Sequence, residues 1–136
     1  MMNLEESIRH VWDLSSELEE KVPKERVTAG RPGKGVFPYV TIEIDKCVPA
    51  LLVNTGHLRE TIHFRLNVRH HHYAEARELT DTLQEVFKNS TIDDVDSSRY
   101  AQVSLSGTSF ESLKDQTWLV VIGMVADVYL PNETPE

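Results

Sequence analysis

The chain has 136 residues, 40% of them hydrophobic and 26% charged, with a formal net charge of −8. That length suits one compact domain with a core of its own. Twenty-two acids against 14 bases exclude the basic surface that general nucleic-acid or anionic-membrane binding requires. Cys47 is the one cysteine, which rules out an intrachain disulfide and points to a reducing, cytoplasmic setting.

A helix is predicted over residues 3–21. Asn3 caps it, Glu6 completes a capping-box spacing, and Leu4, Ile8, Val11, Leu14 and Leu18 form one apolar stripe ended by Pro23. The signal-peptide pattern is absent from "MMNLEESIRHVWDL", which has no basic segment followed by an apolar run. Residues 22–36 read as a Gly/Pro loop made basic by Lys24, Arg26, Arg31 and Lys34. "YVTIEI" at 39–44 alternates as a strand, with Val40, Ile42 and Ile44 inward. The stretch 45–56 has no clean period and reads as an irregular excursion. "LRETIHFRLNV" alternates again, with Ile62, Phe64, Leu66 and Val68 inward.

Residues 73–88 carry the clearest helical stripe: Ala76, Leu79, Leu83, Val86 and Phe87. Arg77 and Asp81 are spaced to pair, and Asn89 suits the C-terminal cap. "STIDDVDSS" reads as an acidic loop, "YAQVSL" as a short strand, "SGTSFESLKDQ" as a polar connection and "TWLVVIGMVADVY" as a long final strand. That last run holds Asp127 and is too short to span a membrane as a helix. The order implies an α+β fold over residues 1–130: an antiparallel or mixed sheet of about four strands with two helices packed on one face. Residues 131–136 are expected to fray.

None of the candidate chemical motifs is complete. His70, His71 and His72 stand where the alternating pattern becomes helical, and consecutive residues supply neither helix-face nor full zinc-ligand spacing. They are expected to be a solvated joint, with no metal site. "GRPGKG" lacks the residue order of a phosphate-binding loop. Cys47, between lysine and valine, is expected to be a buried small hydrophobe rather than a nucleophile. The aspartates of "IDDVDSS" lack calcium-loop spacing. No catalytic residue and no cofactor is expected.

Three features together resemble the tail-completion (tail-terminator-like) proteins of tailed bacteriophages and prophages. They are an N-terminal helix followed by a Gly/Pro/Arg loop and "FPYVTIEI"; the strand running into a helix, "IHFRLNVRHHHYAEARELTDTLQEVF"; and the last strand "WLVVIGMVADV" after a polar connection. The resemblance implies a non-enzymatic assembly protein. It would form a ring, commonly a hexamer, and meet tail-tube or head-connector proteins, without a cofactor, a membrane or sequence-specific nucleic acid. Two other readings compete with it: a small metal-binding enzyme using the histidines, and a dimeric α+β binding module of non-viral origin. The final strand is apolar on both faces, so Leu119, Val121 and Val125 are expected at a subunit interface. Lys24, Arg26, Arg31 and Lys34 are expected to form a partner-contact loop.

Overall fold

The computed structural model describes residues 2–30, 36–50 and 57–131. Helix α1 spans Leu4–Leu14, and the Asn3 side chain accepts from the Glu6 N–H at 3.3 Å, as its position suggested. Glu6 turns its own carboxylate to Arg9 at 3.0 Å, not back to the cap. The predicted single helix is broken. Ser15 is extended, and its hydroxyl accepts from the Leu18 N–H at 3.3 Å to start a second helix, α2, Ser16–Lys21. The break changes which residues face inward. Leu14 is 77% exposed, while Trp12 is buried. The Trp12 indole N–H donates to the Val22 carbonyl at 3.0 Å, and its ring lies 6.2 Å from Phe87.

A 3-10 turn, Lys24–Arg26, leads into strand β1, Val27–Ala29, inside the segment predicted to be loop. After a cis Phe37–Pro38 peptide comes β2, Tyr39–Pro49. It does not end at Ile44. A bulge between Ile44 and Lys46 shifts the register, which removes the alternation from the sequence beyond it. Part of the expected excursion is therefore strand, and its positions 51–56 lie outside the described residues.

Strand β3, Leu58–His70, alternates strictly to its last residue. Helix α3, Tyr73–Phe87, buries Ala76, Leu79, Leu83 and Phe87, with Val86 partly buried, as its stripe required. Asn89, at φ 53, supplies the left-handed residue that ends it. Arg77 donates back to the Tyr73 hydroxyl at 3.2 Å instead of forward to Asp81. Strand β4, Thr91–Asp93, lies within the acidic segment; β5 spans Tyr100–Ser112 and β6 Trp118–Tyr129. The expected polar connection after Leu105 is mostly β5.

Among the described residues the sheet therefore has six strands, in the order β1-β2-β3-β6-β5-β4, where about four were expected. Only β1–β2 is parallel. The α+β class stands, with three α-helices among the described residues where two were expected. The two missed strands are three residues long, too short to show a period. Helix α3 packs on β3, β6 and β5, while α1 touches both edge strands β1 and β4, so the sheet curls around one core. Among the described residues no helix is long and apolar enough to cross a membrane. The expected frayed tail lies outside them except for Pro131.

Candidate functional site

The helices cover the face of the sheet that carries Phe64, Leu66, Ile122 and Met124. Among the described residues no helix lies on the other face. There β6 presents Leu119, Val121, Gly123 and Val125, all half-buried. Leu119, Val121 and Val125 are the residues the sequence marked as apolar on a second face.

The register sets what flanks them. On β3, Arg69 lies opposite Leu119, Asn67 opposite Val121 and Arg65 opposite Gly123. On β5, Glu111, Ser109, Gly107 and Ser104 lie opposite Leu119, Val121, Gly123 and Val125. The β3 side is walled. Arg65 is 2.9 Å from Glu43 and 2.9 Å from Asp45; its Nε is close enough to Asp45 for an ion pair but not aligned as a hydrogen bond. Arg69 donates to the Thr117 hydroxyl at 2.7 Å and reaches Asp115 at 3.1 Å, and its guanidinium lies 5.6 Å from the Phe37 ring centre. Hydrogen bonds from Thr117, with the Arg69 charge beside it, hold the Asp115 carboxyl below its usual range. Pairs this exposed add little to stability. Their effect here is on shape: the arginine stems cover one side of the apolar stripe. On the β5 side the small residues leave it open. Gly123 has a close-packing role, since a Cβ there would lie 2.6 Å from the Ser106 hydroxyl in the β5 bulge.

The histidines are not a uniformly solvated joint. His70 continues the buried face of β3 and is 7% exposed, whereas His71 and His72 are exposed. The Nδ1 of His70 accepts the backbone N–H of His72, the residue that caps α3, at 3.1 Å. Its Nε2 therefore carries the proton and points toward Glu75 at 3.5 Å. Burial pushes the His70 pKa down, against the pull of Glu75. The strand simply runs two residues further than the sequence pattern suggested.

Cys47 is exposed, not buried, and its thiol donates to Glu60 Oε2 at 3.1 Å. Desolvation, then the Glu60 contact, pushes its pKa up, which keeps it protonated and poorly nucleophilic. Glu60 also accepts the Met2 N–H at 2.9 Å, tying the N-terminal segment to β3. In the acidic segment, burial raises Asp94, but hydrogen bonds from the Asp96 N–H and the Ser97 hydroxyl outweigh it and lower the pKa. Among the described residues no three His, Cys, Asp or Glu side chains are grouped to hold a metal. Of the basic loop, Lys24 pairs with Asp13 at 2.8 Å and Arg26 donates to the Phe37 carbonyl at 3.3 Å. Arg31 and Lys34 lie outside the described residues.

This chain shares its fold with a protein of a virion. A chain solved as part of the virion of a native gene transfer agent particle aligns at a TM-score of 0.76 and 14% identity, covering 93% of this chain and 94% of that one. A second solved protein aligns at a TM-score of 0.59 and 17% identity, covering 94% of this chain and 97% of its own. At these identities the likeness is one of fold. No family model and no curated protein sequence matches the chain.

Proposed function

We propose that the protein is a non-enzymatic assembly component of a phage-like particle, of the tail-terminator or head–tail joining kind, that closes into a ring. Its fold is shared along nearly its whole length with a virion protein. The observation that carries the reading is the β6 stripe, Leu119, Val121 and Val125, lying on a sheet face without a helix. A stripe of this kind on an otherwise charged face suits a subunit contact. Lys24, Arg26, Arg31 and Lys34 would supply basic contacts to a tail-tube or head-connector partner.

The test is the oligomeric state. Light scattering at tens of micromolar should show a defined oligomer for the native sequence. Val121→Glu and Val125→Glu should shift it to monomer while the far-UV spectrum and the unfolding midpoint stay near those of the native protein. A native chain that remains monomeric would sink the reading.

A further inference from the structure

The two sides of the sheet each leave part of a strand unpaired. Strand β1 pairs only with Val40, Thr41 and Ile42, and β4 pairs only with Tyr100, Ala101 and Gln102. Beyond them, 43–49 of β2 and 106–112 of β5 have no neighbouring strand on their outer side among the described residues. Both are exposed, apart from the half-buried Ile44. Each carries an exposed large apolar side chain: Val48 at 44% and Phe110 at 38%. Unpaired strand edges of equal length on opposite sides of one sheet are templates for head-to-tail pairing.

We infer that 45–49 of one copy pairs antiparallel with 108–112 of the next, with Lys46 opposite Glu111. This rests on the assembly reading above. The sheet faces agree. Lys46 shares a row with His63 and Val125, and Glu111 shares a row with Leu119, so both stand on the face without helices. The same register sets Val48 opposite Ser109, the small residue beside Val121, on the side where the stripe is open. It also matches the only charge in 106–112 with an opposite one.

The geometry also suits closure. The rows of Lys46 and Glu111 cross β6 at Val125 and Leu119, six residues apart. That is about 20 Å along the strands, against about 19 Å across the four strands of each repeat. The strands then tilt by roughly 45°, the upper end of the range for closed barrels. The contact is heterologous, and such contacts make rings when the rotation closes.

The test uses full-length protein with Cys47→Ser as background. Lys46→Cys together with Glu111→Cys should give a ladder of disulfide-linked oligomers on oxidation, and neither change alone should. Lys46→Glu and Glu111→Lys should each weaken self-association by about tenfold, and the two together should restore it. If the native protein assembles but no ladder forms and the charge reversals have no effect, the strand pairing is overturned while the assembly reading stands. A native protein that stays monomeric at tens of micromolar overturns both.

Discussion

His70 shows how one side chain can settle a local structure that its neighbours leave open. Its ring nitrogen accepts the N–H of His72, the residue in the capping position of α3, which makes no side-chain cap bond of its own. This hydrogen bond exists only while Nδ1 is unprotonated. Because burial lowers the folded-state pKa below its ordinary 6.5, the unfolded chain binds the proton more readily. The contribution to stability is thus complete above pH 6.5 and is lost as pH falls through the folded-state value. Urea midpoints should therefore drop between pH 7.5 and pH 5. In His70→Asn, whose amide oxygen can accept the same N–H without titrating, that drop should shrink. His71→Ala with His72→Ala should leave the midpoint almost unchanged, whereas His70→Ala should lower stability by about 1 kcal/mol, as for other lost hydrogen bonds. An undiminished pH dependence in His70→Asn would show that other groups cause it.

At the scale of elements, Trp12 determines how the N-terminal segment docks. Its indole covers Phe87 and donates to the Val22 carbonyl across the break between α1 and α2. Trp12→Phe keeps most of the ring but orphans a buried carbonyl, and should cost about 1–3 kcal/mol in urea unfolding. Trp12→Ala should cost about 3–5 kcal/mol. No loss in Trp12→Phe would mean the hydrogen bond contributes nothing, and equal losses for the two would mean the ring packing contributes nothing. The helical stripe of α3 and the alternation of β3 and β6 were legible in the sequence, because long elements with one buried face repeat their period several times. The break at Ser15 was not, since Leu14 continues the helical spacing although it faces solvent. Strand β5 was half legible. Ala101 and Val103 are buried and show it, while 106–112 are exposed on both faces and therefore read as a connection. On the open face, Leu119, Val121 and Val125 were legible from β6 alone. The arginine wall was visible only as an outward alternation on β3, because its pairing with Glu43, Asp45 and Asp115 depends on register and turn geometry.

For the whole molecule, net charge would decide how the proposed assembly responds to salt. Every copy carries a formal −8, so bringing copies together concentrates like charge. The open face does not reverse this, since Arg65 and Arg69 are already paired with acids of the same chain. Against the repulsion stand the apolar stripe, which salt does not weaken, and one inferred Lys46–Glu111 pair, which it does. At about 0.15 M the Debye length is near 8 Å, short enough to screen repulsion between copies more than contacts within the interface. Raising salt from about 20 to about 300 mM should therefore strengthen self-association, in the opposite sense to binding driven by charge attraction or phosphate contacts. Sedimentation velocity at fixed protein concentration measures this directly. Dissociation of the oligomer with added salt would mean that ion pairs, not the β6 stripe, hold the copies together.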